Sequence, residues 1–336
     1  MTYTDYLNKL IAGTDLSADE TTDVMDQLMD GELTPAQVAA FITALRIKGE
    51  TTDEISAAAL SMRRHATRID AGAPPIVDTC GTGGDGSGTF NISTTAAFIA
   101  AGAGVKIAKH GNKSVSSQCG SADVLAALGV NLDITPDQVG DCVRDVGIGF
   151  LFAPKLHGAM KHAIGPRREL GVRTIFNMLG PLTNPAGATA QVIGVFDAAL
   201  TEVFAEVLNK MGSSRAMVVH GSDHLDEITL TGTTQVSELK DGKVETRQLD
   251  PQEYVGSLCS ADALKGGDAE VNAGILRDIL EGAEGPKADV AKLNAAAAIY
   301  VGGLADDLDA AYGKAGDAID AGAAKQKLDS LIAATS

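Results

Sequence analysis

The sequence predicts an α/β protein, with a small N-terminal helical domain ahead of a larger α/β domain built on a mainly parallel sheet. Two patterns carry this prediction. Helix starts punctuate the first seventy residues, and from Pro74 onward short apolar runs alternate with helical stretches. The chain has 336 residues, enough for two domains when single domains are most often roughly 100–150 residues.

The N-terminal helices are signed by capping boxes: Ser17 with Glu20, Thr34 with Gln37 and Pro35 at the first helical position, and Thr51 with Glu54. Gly31 and Gly49 mark their stops, and Val38, Ile42 and Leu45 give the middle helix one apolar stripe. Strands follow at Ile76-Val77, Val105 to Ala108, Gly149 to Phe152, Gln191 to Val195 and Ala216 to Val219. Between them Ser93 to Ala101 reads as a helix, Ser121 opens another and Thr135-Pro136 a third. Prolines 166, 181 and 185, several glycines and Arg167, Arg168 and Arg173 interrupt the alternation from Pro154 to Pro185, which reads as a crossing or hinge between domains. Val236 to Leu239 and Val244 to Leu249 form a hairpin turning at Asp241-Gly242, and alanine-rich helices close the chain.

The chain is organised around Asp78 to Ser121. Pro75-Ile76-Val77 feeds a loop containing Gly81, Gly83, Gly84, Gly86 and Gly88, whose backbone amides can approach a ligand, and the helix beginning near Ser93 turns its positive end towards that loop. No Asp or Glu occurs from Gly86 to Ala122, whereas Lys106, Lys109 and Lys113 do, in a chain of formal charge −17. This basic island suits a ligand with several phosphates, a phosphorylated sugar in particular.

Other chemistries fit less well. Gly81-Thr-Gly-Gly-Asp-Gly86 matches the dinucleotide fingerprint literally, but the acid expected about twenty residues on is missing, the next after Asp85 being Asp123. Gly111-Asn-Lys-Ser114 lacks the glycine that precedes lysine in a P-loop. Cys80, Cys119, Cys142 and Cys259 have no C-x-x-C spacing and read as free thiols. Overall acidity argues against nucleic acid as a partner, and the longest apolar runs fall far short of the about 18–20 residues that span a bilayer, so no membrane partner and a cytoplasmic location are expected.

A second chemical feature is His220 to Glu227, after a strongly apolar strand. Asp226 and Glu227 suit Mg²⁺, which takes one or two protein carboxylates and completes its shell with water and substrate phosphates. A zinc site from His220, Asp223 and His224 is the weaker alternative. His110 and Asn112, after the second strand, can hydrogen-bond a planar acceptor, and Arg167 can pair two-pronged with a carboxylate. Together these residues suggest a pocket with a phosphate half and an organic-acid half.

The matching text runs through most of the chain: Asp78-Thr-Cys-Gly-Thr-Gly-Gly-Asp85, Phe90-Asn-Ile-Ser-Thr94, Lys109-His-Gly-Asn112, Gly120-Ser-Ala-Asp123, Arg167-Arg-Glu-Leu-Gly171, Arg173-Thr-Ile-Phe-Asn177, Leu179-Gly-Pro-Leu-Thr-Asn-Pro185 and Leu225-Asp-Glu227. In order and spacing it resembles the anthranilate phosphoribosyltransferases of tryptophan biosynthesis. The resemblance implies a nucleoside phosphorylase/phosphoribosyltransferase-like fold. Residues 1–70, joined by a segment around 164–186, would form the helical domain, and 71–163 with 187–336 the large domain that binds phosphoribosyl pyrophosphate. It also implies a homodimer through the helical domain and an active site at the hinge.

By position, the resemblance assigns phosphoribosyl pyrophosphate to Gly81, Gly84, Asp85, Thr89, Asn91, Ile92, Ser93, Thr94, Lys109 and Ser121, with His110, Gly111, Asn112, Lys113, Ser114, Val115, Ser116 and Ser117 wrapping it. Ser93, Asp226 and Glu227 would hold two Mg²⁺ ions. Gly81, Asn112 and Arg167 would contact anthranilate, with His110 and Pro181 lining its path. Gly158 is a departure, since the family usually has proline after the histidine of His157-Gly-Ala-Met-Lys-His162.

The implied reaction is attack by the anthranilate amine on the anomeric carbon as pyrophosphate leaves, giving N-(5-phosphoribosyl)anthranilate. Such chemistry needs alignment and electrostatics and no protein nucleophile, in keeping with the lack of a catalytic triad motif. A pyrimidine nucleoside phosphorylase handles a single phosphate and has no need of the Asp226-Glu227 pair. A nucleic-acid-binding relative of the same fold would favour a basic surface.

Overall fold

The computed structural model describes residues 1–114 and 118–336. Helices α1 (Tyr3–Ile11), α2 (Ala18–Asp30), α3 (Pro35–Lys48) and α4 (Thr52–His65) come first. The expected capping boxes start three of them. The Ser17 Oγ accepts from the Glu20 amide at 3.2 Å while the Glu20 carboxylate accepts from the Ser17 amide at 3.0 Å, and Thr34 with Gln37 repeats the exchange. In the third box Glu54 is fully buried, so its carboxylate also takes the Leu16 amide at 3.0 Å and the Lys48 ammonium at 2.9 Å. Gly31 and Gly49 end α2 and α3 at φ of 80° and 91°.

The remainder alternates β1 (Val77–Gly81), α5 (Ile92–Gly102), β2 (Ile107–Gly111), α6 (Ser121–Ala127), α7 (Pro136–Asp141), β3 (Ile148–Phe152), α8 (Ala153–Leu156), α9 (Lys161–Leu170), α10 (Phe176–Leu182), β4 (Ala190–Gly194), α11 (Leu200–Lys210) and β5 (Arg215–Gly221). The hairpin β6 (Thr234–Lys240) and β7 (Lys243–Leu249) follows, then α12 (Gln252–Val255), α13 (Ala269–Leu280), α14 (Pro286–Val301), α15 (Leu308–Asp320) and α16 (Ala323–Thr335). One sheet contains all the strands, in the order β3-β2-β1-β4-β5-β6-β7. Its first five members are parallel and only the hairpin runs against them. Asp241 and Gly242 have φ of 52° and 75°, the two left-handed residues of a tight hairpin turn.

Alternating side chains feed two cores. Val192, Met217 and Val219 pack with α5, α13 and α14, whereas Ile193, Ala216 and Val218 pack with α11, α10 and the N-terminal helices. The chain winds left from β1 to β3, then returns to place β4 on the other side of β1. The carboxyl ends of β1 and β4 therefore flank a topological switch point, where ligands of such sheets bind.

Two local expectations need correcting. The stretch from Pro154 to Pro185 is more than a crossing, because it folds into α8, α9 and α10, with Pro166 and Pro181 inside helices. Both helices are short, so each proline disturbs little helical bonding. In addition, β1 and β2 run on through Asp78-Thr79 and Lys109-His110. These residues look like loop because they are polar, but each is buried and satisfied by a specific partner.

Candidate active site

The glycine-rich loop leaves β1 at the switch point, and the turn after β5 carries Asp226 and Glu227 to the same place. The turn is organised by Asp223, whose carboxylate accepts from the Thr229 and Thr231 hydroxyls at 2.8 and 2.6 Å. Asp226 then lies directly over the two strand ends. A Cβ on Gly194 would overlap its backbone carbonyl, and one on Gly81 would come within 2.5 Å of its carboxylate. Asp226 Oδ2 also accepts from the Gly83 amide at 2.8 Å, which ties the loop to the turn.

Glu227 closes the next contact by accepting from the Ser93 amide at 3.1 Å, in the first turn of α5. The Ser93 hydroxyl accepts from the Lys109 ammonium at 3.3 Å. Lys109 itself is buried on β2 and also donates to the Thr79 carbonyl. Burial pushes the Asp226 carboxyl up to about 6, helped by the charge of Asp85, and pushes Glu227 up to about 8, helped by Asp226. Lys109 is lowered by burial despite the surrounding carboxylates. Asp226 and Glu227 thus crowd together beside Lys109 at a helix N-terminus, and a cation bound between them would relieve their repulsion. The Thr94 hydroxyl, buried in the same wall, has no hydrogen-bond partner among the described residues.

These groups line a cavity of about 230 Å³. Gly81, Gly84, Asp85, Thr89, Asn91, Ile92, Ser93, Thr94, Lys109, His110, Gly111, Asn112 and Ser121, to which the family resemblance assigns phosphoribosyl pyrophosphate, all reach this cavity, as do Asp226 and Glu227. Asn91 is held in place there by Asn272 at 3.0 Å and the Cys119 carbonyl at 3.2 Å. Lys113 and Ser114 line an adjoining cavity instead. Val115, Ser116 and Ser117 lie outside the described residues.

The adjoining cavity, about 420 Å³, shares Gly81, Gly84, His110, Gly111 and Asn112 with the first and adds Arg167, Arg173, Asn177, Pro181 and Phe196. The Arg167 guanidinium lies 5.2 Å from the Phe176 ring centroid, and burial lowers its pKa without removing its charge. His110 is buried and its Nε2 meets His157 Nε2 at 3.1 Å. Burial and the neighbouring ring push the His110 imidazole down to about 3, and burial takes His157 to about 4. At neutral pH this is an uncharged pair, one ring donating and the other accepting.

Two features of the site are not visible in the sequence pattern. Arg173 donates to the Gly84 carbonyl at 2.8 Å and lies over the Phe196 ring at 3.9 Å, spanning the mouth from α9–α10 to the glycine loop. Asp78 is buried between β2 and the end of α10. The cluster of arginines after Gly165 was the available signal for the first, whereas nothing in the spacing separates Asp78 from a loop acid. For the zinc alternative, the Asp223 carboxylate is taken up by the Thr229 and Thr231 hydroxyls. No group of three or more His, Cys, Asp or Glu side chains gathers for a metal among the described residues.

Comparison with known proteins agrees with this geometry. The family models described as "Glycosyl transferase family, helical bundle domain" and "Glycosyl transferase family, a/b domain" match residues 4–66 and 73–325. The chain is similar to an anthranilate phosphoribosyltransferase of Desulfatibacillum aliphaticivorans, 54% identical over 98% of both chains. Another, of Desulfosudis oleivorans, is 55% identical over 98% of both. Among solved structures, the Thermus thermophilus anthranilate phosphoribosyltransferase superposes with a TM-score of 0.94 at 43% identity, covering 98% of this chain and 99% of that one. The Saccharomyces cerevisiae enzyme in complex with PRPP and Mg gives 0.89 at 29% identity, covering 99% and 97%. With such identity sustained from end to end, the chain belongs to the anthranilate phosphoribosyltransferase family.

Proposed function

We propose that this chain transfers the phosphoribosyl group of phosphoribosyl pyrophosphate to the amine of anthranilate, releasing pyrophosphate, as a Mg²⁺-dependent cytoplasmic enzyme of tryptophan biosynthesis. The observation that carries the reading is the pair of joined cavities. One is walled by loop amides, Lys109 and the Asp226-Glu227 pair, the other holds Arg167, and Gly81 and Asn112 stand at the boundary. The yeast relative solved with PRPP and Mg supports the same substrate and metal.

In this reading the glycine-loop amides, the α5 N-terminus and Lys109 bind the pyrophosphate and sugar phosphate. Arg167 takes the anthranilate carboxylate, and Asn112 and Pro181 orient the ring so that its amine faces the anomeric carbon. Ser93, Asp226 and Glu227 would hold two Mg²⁺ ions, a reading supported by the buried, mutually repelling carboxylates, which a hard cation would satisfy. Bound there, Mg²⁺ supplies charge neutralisation for the leaving pyrophosphate. The amine is neutral at pH 7, so the uncharged His110–His157 pair is not required as a base. Residues 1–70 with the segment 164–186 act as the helical domain, and the rest as the substrate-binding domain.

The helical domain also offers a dimer surface. Ile11 and Ile47 are 70% and 80% exposed beside Leu7, Ala40, Ala44 and Leu170, an apolar face that a second copy would cover. The function is tested by anthranilate fluorescence, which must fall only when phosphoribosyl pyrophosphate and Mg²⁺ are both present. Fluorescence that persists in the full mixture refutes it. Sedimentation of Ile11→Asp with Ile47→Asp tests the dimer, and an unchanged mass would remove it.

A further inference from the structure

The sheet is breached beside the site. β1 pairs with β4 through five residues, and β2 with β3 through five, but β1 and β2 are in register only at Val77 and Ile107. Beyond that point side chains replace the missing ladder. Asp78 Oδ1 accepts from the His110 amide at 3.0 Å, and Asp78 Oδ2 accepts from Asn184 Nδ2 at 2.8 Å. Asn184 Nδ2 also donates to the Ala108 carbonyl at 2.8 Å. Asp78 and Asn184 are 0% and 1% exposed.

The same polar layer holds the end of α10. Gln191, the register partner of Asp78 on β4, donates to the Pro181 carbonyl at 2.9 Å, and Arg63 of α4 donates to the Leu182 carbonyl at 2.7 Å. Two walls of the outer cavity therefore meet at Asp78: the end of β2, which carries His110 to Asn112, and the C-terminal end of α10, which carries Gly180 and Pro181. We propose that Asp78 and Asn184 are positioning residues, a buried carboxylate–amide clamp that fixes the end of β2 against the Gly180–Pro181 wall and so sets the acceptor half of the site. The claim about the acceptor rests on the transferase reading above, whereas the clamp itself does not.

A carboxylate is needed because both Asp78 oxygens face donors. In Asp78→Asn an amide NH₂ must oppose either the His110 amide or Asn184, so one buried donor loses its partner with almost no change of volume. The full-length Asp78→Asn chain is expected to show amide exchange at His110 at least about tenfold faster, the scale of one lost buried hydrogen bond. In steady state, KM for anthranilate should rise about tenfold while KM for phosphoribosyl pyrophosphate stays within about threefold. A merely structural defect lowers the folded fraction, hence apparent kcat, and leaves both KM values alone. The double variant Asp78→Asn with Asn184→Asp restores one donor–acceptor pair and should recover part of the anthranilate KM.

If Asp78→Asn does not fold, Asn184→Ala carries the same two readouts, and failure of both to fold assigns the pair to stability alone and overturns the proposal. Unchanged His110 exchange removes the clamp whatever reaction the pocket performs. Faster exchange with an unchanged anthranilate KM, in a parent that turns over, removes the positioning role. A parent that consumes no anthranilate contradicts the transferase reading, while His110 exchange still decides the clamp.

Discussion

Acid should erode the stability that the His110–His157 pair contributes. An unperturbed imidazole titrates near 6.5, and burial takes the two rings down to about 3 and about 4. Between those values and 6.5 the unfolded chain binds protons that the folded chain refuses, so stability is fully present above pH 6.5 and is lost as pH falls. Each refused proton is worth about 1.4 kcal/mol per pH unit, so the pair contributes a slope of roughly 3 kcal/mol per unit between pH 6 and 4. Asp226 and Glu227, whose carboxyls are pushed up to about 6 and about 8, take up protons in the folded state over the same range and offset this loss, so the histidine pair's share is read as a difference between variants. The assay is urea unfolding by circular dichroism from pH 7 to pH 4.5, for the parent and for His157→Gln. Glutamine can still place a donor near His110 Nε2 but does not titrate, so its slope should be shallower by about 1.4 kcal/mol per unit. Equal slopes would refute the reasoning, because His157 would then not be held neutral by burial.

Asp226→Asn with Glu227→Gln should abolish turnover or raise the Mg²⁺ requirement sharply, while metal-free melting stays level or rises because a buried like-charge pair is gone; a Mg²⁺ titration and a melting curve check both halves. Gly194→Ala should drive the new Cβ into the Asp226 carbonyl, with overpacking costing about 1–3 kcal/mol and activity falling with the displaced turn, read by thermal unfolding and turnover. Arg167→Lys keeps the charge but loses the planar two-pronged fit, so KM for anthranilate should rise about tenfold with little change for the other substrate. Gly158→Pro should stabilise by about 0.4–1 kcal/mol in denaturant unfolding. A Cβ there meets nothing within 4 Å, and His157 at φ −113° and ψ 58° is already outside the helical region that a following proline disfavours.

What could be read beforehand follows physical lines. The capping boxes at Ser17, Thr34 and Thr51 were legible because a cap is a local contract between residues three apart. The parallel core strands were legible because both faces are buried and the runs are apolar. The lining of the inner cavity was legible too, since glycines, an acid-free window and Lys109 lie within one contiguous stretch. The outer cavity depends on residues far apart in sequence, and only Arg167, whose chemistry suits a carboxylate, stood out. Arg173 acquires a role when the glycine loop folds back to it, and Asp78 when Asn184 arrives from 106 residues away. Strand character at Lys109 and His110 is hidden in the sequence for the same reason. Polar residues inside a sheet are improbable from pattern alone and become stable only through partners that tertiary structure supplies.

The central claim is that one pocket joins an amine acceptor to a pyrophosphate-bearing sugar. Simultaneous measurement of pyrophosphate release and anthranilate loss tests it most directly. With Mg²⁺ and phosphoribosyl pyrophosphate present, pyrophosphate should appear only when anthranilate is added, one for each anthranilate consumed. Release that ignores anthranilate, or anthranilate that survives the release, would contradict it.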